Sequence, residues 1–124
     1  MMSLEPTKAE LEILQVLWEK GPLTVREVNN ELLKIREVNY TTTLKQMQLM
    51  VDKRMLDRDE SPMKHIYKAG VDEQKIKSGL LDKFVDTTYK GSASKLVMAL
   101  LGNGNTSAKE LEEIKAMIKN LDPK

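Results

Sequence analysis

The sequence contains no cysteine and only one histidine, His65, among its 124 residues. Without thiols it can form no disulfide, thiolate zinc site, iron–sulfur cluster or cysteine nucleophile. A single imidazole also leaves no partner for a histidine metal cluster. The paired acids Glu112 and Glu113 fall on an amphipathic helical pattern, which is typical of a solvated face. We therefore expect no metal, no cofactor and no enzymatic activity.

Long apolar runs and an excess of one charge are also missing. The sequence contains no run of about 18 apolar residues, the length that a helix needs to cross a bilayer. Its N-terminus also lacks the apolar segment of a signal peptide. We expect a cytoplasmic protein with no membrane insertion. Lys and Arg number 20 against 19 Asp and Glu, so an anionic partner would have to bind a local basic face. Aromatic residues make up 4% of the chain, and a core of aliphatic residues and methionine is typical of a mostly helical protein.

Two helices are predicted at the start of the chain from their N-terminal signals. Thr7–Glu10 and Thr24–Glu27 both have the S/T-x-x-E spacing of a capping box, in which a hydroxyl and a carboxylate satisfy two backbone N–H groups. Gly21-Pro22 should end the first helix, because glycine accepts the left-handed conformation and proline cannot continue a helix. Apolar spacing extends the second helix from about Val25 to about Ile35.

A third helix and a hairpin should follow. Asn39 or Thr41 can cap this helix, whose apolar residues recur at spacings of three and four until about Arg54. Residues 55–59 and 64–68 are then predicted to be two short strands joined by a turn. Three helices followed by a β-hairpin are the order of a winged helix-turn-helix, which we place at residues 5–70.

The rest of the chain, residues 71–124, is predicted to form three amphipathic helices, beginning near Asp72, Ser92 and Ser107. Their apolar residues are too few to bury one another completely. A second copy is the simplest cover, because a two-fold contact lets one apolar face pack on itself; folding back on the N-terminal part is the alternative. The fold class is thus mainly α, with a C-terminal three-helix dimerisation region. The predicted dimerisation residues are Leu80, Phe84, Leu111, Ile114, Ile118 and Leu121.

The third helix carries most of the polar side chains that could bind a ligand. At about 100° per residue, Tyr40, Leu44, Met47, Met50 and Val51 fall on one side. Thr41, Thr42, Lys45, Gln46 and Leu49 fall on or near the other, with Gln48 on a flank. These hydroxyl, amide and ammonium groups can donate to base edges or phosphates in a DNA major groove. A plain polar surface remains the alternative, because the helix has no arginine to contact guanine before its end.

Residues outside that helix could assist DNA binding. Lys64 lies in the predicted wing, where it can contact phosphate. The N–H groups at Thr24, the start of the second helix, also suit a phosphate. For His65, packing within the strand is favoured over a phosphate contact.

Three stretches resemble the penicillinase repressor family, which includes the methicillin-resistance repressors. They are Leu11–Trp18, Gly21–Val28 and Tyr40–Leu44 with Asp52-Lys53 after it. The likeness covers about residues 5–121. It implies a dimeric winged-helix repressor that binds a dyad-symmetric double-stranded DNA operator and is inactivated by proteolysis triggered by a membrane-bound zinc metalloprotease sensor. The residues that would face DNA by position are Tyr40, Thr41, Thr42, Leu44 and Lys45, with Lys64 in the wing.

Three positions depart from the family pattern. Arg54 stands where glycine is usual at the end of the third helix, and Leu44 stands where some members have arginine. Ala99-Leu100 occupies the position of the Asn-Phe cleavage bond of the best-known members, so the proteolytic region is assigned by position alone. The competing hypothesis is a winged-helix protein–protein interaction module in a larger assembly, with the third helix contacting protein instead of DNA.

Overall fold

The computed structural model describes residues 5–61, 63–104 and 106–120, which contain six helices and one β-hairpin. In chain order the elements are α1 (Lys8–Lys20), α2 (Val25–Leu32), α3 (Tyr40–Asp52), β1 (Leu56–Glu60), β2 (His65–Ala69), α4 (Glu73–Tyr89), α5 (Ala93–Gly102) and α6 (Ala108–Asn120). The predicted fold class is confirmed: three helices and an antiparallel hairpin precede three C-terminal helices.

The first two helices begin at the predicted capping boxes. The Thr7 hydroxyl accepts from the Glu10 N–H at 3.2 Å, and the Glu10 carboxylate accepts from the Thr7 N–H at 2.9 Å. Thr24 and Glu27 repeat both bonds at the same distances. Gly21 ends α1 with φ 85°, a conformation that favours glycine. Local signals therefore place both starts correctly.

The end of α2 differs from the prediction. The helix stops at Leu32, and the N–H groups of Ile35 and Arg36 both donate to the Leu32 carbonyl, at 3.0 and 3.1 Å. Leu33 and Ile35 are 49% and 64% exposed. The prediction that the helix reaches Ile35 is wrong because these apolar side chains have no core to pack against, and packing supplies most helical stability.

Asn39, one of the two predicted caps, begins α3: its side-chain oxygen accepts from the Thr42 N–H at 2.8 Å. At the other end Arg54 has φ 66°, and the Met55 N–H donates to the Met50 carbonyl at 2.8 Å. Arg54 thus adopts the left-handed conformation without glycine, at a cost of roughly 1–2 kcal/mol. The chain therefore leaves α3 through a left-handed residue although that residue is not glycine.

The hairpin is held against the start of the chain. Its register runs from Leu56 opposite Ala69 to Glu60 opposite His65, one residue later in each strand than predicted. Tyr67 also exchanges two backbone hydrogen bonds with Leu23, at 2.9 and 2.8 Å. These bonds fix the middle of β2 beside the segment that joins α1 to α2.

One core unites α1, α2, α3 and the hairpin. Its buried members are Ile13, Leu14, Leu17, Val25, Val28, Leu32, Met47, Met50, Met55, Leu56 and Tyr67. The chain after the hairpin joins this part through Trp18, whose indole N–H donates to the Val71 carbonyl at 3.2 Å. Gly70 lies so close to the backbone of Met55 that a Cβ at position 70 would be 3.3 Å from the Met55 carbonyl oxygen.

The described residues form two compact units, one ending at Gly79 and the other beginning at Leu80. The division falls inside α4, where Ile76 is buried in the first unit. Ile76 is also the single buried residue among the described positions of α4, α5 and α6. None of the described helices is both long enough and apolar enough to cross a membrane.

Candidate nucleic-acid interface

The predicted outward residues of α3 do form an exposed face. Thr41, Thr42, Lys45, Gln48 and Leu49 are exposed, and Gln46 is half-buried. The side facing the core consists of Thr43, Met47 and Met50. Tyr40, which the projection grouped with the apolar side, is 36% exposed. As the first residue of the helix, Tyr40 lies beyond the part of α3 that the core covers.

A buried polar pair fixes α3 on α2. The Thr43 hydroxyl donates to the Asn29 side-chain oxygen at 2.6 Å, and the two residues are 1% and 5% exposed. Buried polar groups are costly unless they are hydrogen-bonded, so this bond favours one relative placement of the two helices. Sequence reasoning missed both residues because a polar residue in a helix is usually solvated.

A groove of about 340 Å³ lies where the starts of α2 and α3 meet the hairpin. It is lined by Thr24, Val25, Arg26, Tyr40, Leu44, Ser61, Met63, Lys64, His65 and Tyr67. Four predicted DNA-binding residues therefore come together here: Thr24, Tyr40, Leu44 and Lys64. The lining includes two full cations, Arg26 and Lys64, and no carboxylate. A chain of nearly balanced charge thus has a locally basic groove, and Thr41, Thr42, Lys45 and Gln48 extend from it along the exposed face of α3.

Thr24 uses its polar groups within the capping box. Its N–H and hydroxyl both donate to the Glu27 carboxylate, at 2.9 and 3.1 Å. These two hydrogen bonds, with a smaller attraction from Lys64, lower the pKa of Glu27. Glu27 therefore stays ionised at neutral pH and occupies the Thr24 donors that were expected to meet a phosphate.

Arg26 is a groove residue that sequence reasoning missed. Its guanidinium carbon lies 4.5 Å from the centre of the Tyr40 ring, a cation–π contact between the starts of α2 and α3. The signal that could have found it is its place beside the α2 cap, since the two helices of a helix-turn-helix both approach DNA.

On the hairpin, Arg58 and Lys64 differ in what they contact. Arg58 donates to the Glu60 carboxylate, and hydrogen bonding to Tyr67 and Glu60 raises the pKa of Arg58. Lys64 forms no ion pair with another described residue. His65 is exposed and lines the groove, so the interpretation that it packs is wrong. It follows Lys64 at the start of β2, where its side chain leaves the core.

None of the described residues predicted to mediate dimerisation is fully buried in a single chain. Leu80, Leu111 and Ile114 are half-buried, whereas Phe84 and Ile118 are 46% and 50% exposed; Leu121 lies outside the described residues. In the predicted proteolytic region of α5, Ala99 is half-buried and Leu100 is 44% exposed. No group of three or more potential metal ligands occurs in the part of the chain that the structure describes.

Comparison with known proteins identifies the family. A model of the penicillinase repressor family matches residues 6–120. A penicillinase repressor of Staphylococcus aureus is 24% identical over 121 residues, which cover 98% of this chain and 96% of the relative. The methicillin resistance regulatory protein MecI of Mammaliicoccus sciuri is 24% identical over 114 residues, covering 92% and 93%. The family consists of transcriptional repressors, which are not enzymes. The resemblance seen in the sequence is confirmed, and the chain belongs to the penicillinase repressor family.

Proposed function

We propose that this chain represses transcription as a homodimer that binds a dyad-symmetric operator in double-stranded DNA. The observation that carries the proposal is the groove with two cations and no lining carboxylate, beside an exposed helical face of hydroxyl, amide and ammonium groups. In a helix-turn-helix, such a face enters the major groove while neighbouring elements contact phosphates. The chain would act in the cytoplasm, where its operator lies.

The two parts of the interface have separate roles. Thr41, Thr42, Lys45 and Gln48 on the exposed face of α3 would read base edges, because donors and acceptors in the major groove differ between base pairs. Leu44 lines the groove and can contact a thymine methyl group. Lys64 in the wing would contact phosphate, which adds affinity without sequence preference.

Dimerisation is supported by what α4, α5 and α6 leave exposed. Leu81, Phe84, Met98, Met117 and Ile118 are each between 46% and 69% exposed. Exposed apolar side chains in such number on a small protein are typical of an interface. A second copy would cover it and would present two α3 helices to the two halves of a dyad-symmetric site.

Inactivation would occur by cleavage within α5, triggered by a membrane-bound zinc metalloprotease sensor. No described residue of α5 is buried, and Gly91 and Gly104 on either side have positive φ angles. A helix with few buried contacts opens locally at low cost. By resemblance to the family, the cut would fall at Ala99-Leu100.

A salt titration tests DNA binding. If each of two subunits neutralises three or four phosphates, the logarithm of the affinity should fall against the logarithm of salt with a slope of about −5 to −7. The probe is a duplex from upstream of the chain's own gene, with a scrambled duplex of equal length as control. A slope near zero would contradict the proposal and favour a protein-interaction module.

A further inference from the structure

We propose that Arg26, stacked on Tyr40, supplies the phosphate contact of α2, and that Tyr40 is its positioning residue. The inference rests on the proposed function and assigns one contact within it. Its basis is the juxtaposition of an exposed guanidinium with an aromatic ring at the edge of the groove, 4.5 Å from the guanidinium carbon to the ring centre.

The stacking prepares the guanidinium for an anion. Arg26 is exposed and forms no ion pair with any described carboxylate. A guanidinium over an aromatic ring keeps its N–H donors at the edge of its plane, where a phosphate can accept two parallel hydrogen bonds. Holding the side chain in place beforehand reduces the entropy lost when DNA binds. The ring of Tyr40 therefore serves the contact without touching the phosphate.

The position of Arg26 favours phosphate over a base edge. It is the second residue of α2, and the first helix of a helix-turn-helix crosses the DNA backbone while the second enters the groove. Thr24 cannot take this role with its own donors, because Glu27 occupies them. Lys64 lines the same groove from the hairpin. Arg26 and Lys64 would thus contact the backbone from two elements.

Fluorescence anisotropy on the full chain tests the assignment, with the upstream duplex and a scrambled duplex over a salt series. Arg26→Gln should weaken binding to both duplexes by the same factor, about tenfold or more, and should make the salt slope less negative by about 1 per subunit. Arg26→Lys should keep the slope but recover only part of the affinity, because an ammonium cannot form the bidentate contact.

Two further variants test Tyr40. Tyr40→Phe keeps the ring and should bind both duplexes more tightly than Tyr40→Leu does. Tyr40→Leu removes the ring and should weaken binding to both duplexes while the slope stays the same. The matched control is Lys77→Gln, which removes one positive charge that lies by Glu73 and Trp18, outside the groove. An unchanged Tm for each variant shows that it is folded.

The outcomes separate this inference from the proposed function. If Arg26→Gln behaves as Lys77→Gln does while the unchanged protein keeps its steep slope, the inference is wrong and the proposed function stands. A loss confined to the upstream duplex would make Arg26 a base reader and overturn the phosphate contact. Equal losses for Tyr40→Phe and Tyr40→Leu would place the hydroxyl on DNA and overturn the positioning role. No salt-dependent binding by the unchanged protein would remove the proposed function itself.

Discussion

At the scale of single residues, Glu10 joins α3 to α1. Its side chain is 2% exposed, closes the α1 capping box and accepts from the Lys53 ammonium at 2.7 Å. Burial raises the pKa of Glu10, but hydrogen bonds from Lys53 and Thr7 outweigh burial, and the pKa is lowered from its ordinary 4.5. Because Lys53 caps the C-terminus of α3, the ionised carboxylate helps to hold that helix.

Replacing Glu10 should change how stability depends on pH. A carboxylate whose pKa is lower in the folded state adds stability above its unfolded pKa, near 4.5, and this stability is lost as the pH falls through the folded value. Glu10→Gln should therefore lower the free energy of unfolding at pH 7 by about 1–3 kcal/mol. The difference from the unchanged protein should shrink by pH 3, as measured by urea unfolding at fixed protein concentration.

Glu112→Gln provides the matched control, because the Glu112 carboxylate is 78% exposed and lies 3.8 Å from Lys115. An exposed ion pair of this kind contributes little to the free energy of unfolding. The free energy of unfolding of Glu112→Gln should therefore stay within about 0.5 kcal/mol of that of the unchanged protein. A deficit of Glu10→Gln that is the same at pH 7 and pH 3 would contradict the role given to the ionised carboxylate.

Variants of the proposed DNA-binding residues should fall into two groups, according to whether the residue contacts a base or a phosphate. Lys45→Ala and Thr42→Ala should reduce discrimination between operator and random DNA, since base-edge contacts contribute about 1–3 kcal/mol each. Lys64→Ala should weaken binding to both DNAs alike, because phosphates are the same in every sequence. Competition assays with the two duplexes measure the ratio of the affinities for operator and random DNA. Equal losses on both duplexes for all three variants would contradict the division of roles.

At the scale of elements, the sequence predicts where a helix begins better than where it ends or which elements it contacts. Caps such as Thr7 and Asn39 act within one turn, so their residues suffice to place α1 and α3. The end of α2 depends on whether Leu33 and Ile35 find a core, which no local pattern contains. The groove depends on which side chains of α2, α3 and the hairpin converge. Thr24, Tyr40, Leu44 and Lys64 could be proposed separately, whereas the pairing of Arg26 with Tyr40 required the structure.

The apolar face of α6 should hold two copies together. Leu111, Ile114 and Ile118 fall on one side of the helix and remain half-buried or exposed. Asp at Ile114 and Ile118 would bury unpaired charge in a dimer, at a cost of several kcal/mol. The double variant Ile114→Asp/Ile118→Asp should therefore sediment as a monomer, and operator affinity should fall with it.

Ala116→Asp is the control for this experiment, because Ala116 is exposed on the opposite side of the same helix. It introduces the same charge and should leave the dimer intact. A monomeric unchanged protein, or an intact dimer in the double variant, would show that the face of α6 does not hold the copies together.

At the scale of the whole molecule, positive charge and buried residues are unevenly distributed along the chain. The net charge is only +1, yet the groove combines Arg26 and Lys64 without a lining carboxylate. Buried residues are concentrated in the unit that ends at Gly79, whereas the unit from Leu80 contains none among its described positions. In the proposed homodimer the C-terminal unit would be held mainly by its partner copy, and dimerisation would be the step at which repression is most easily removed.

Cleavage within α5 should abolish repression by uncoupling DNA binding from dimerisation. A cut at Ala99-Leu100 would separate Leu111, Ile114 and Ile118 on α6 from the first unit. Each half-site would then be bound alone, without the gain of about 10²–10⁴ that linkage of two binding modules can provide. Fragment masses from derepressed cells should show a cut between residues 94 and 101, with loss of full-length chain preceding transcription. Full-length repressor that persists through complete derepression would exclude proteolysis and favour release by a bound effector.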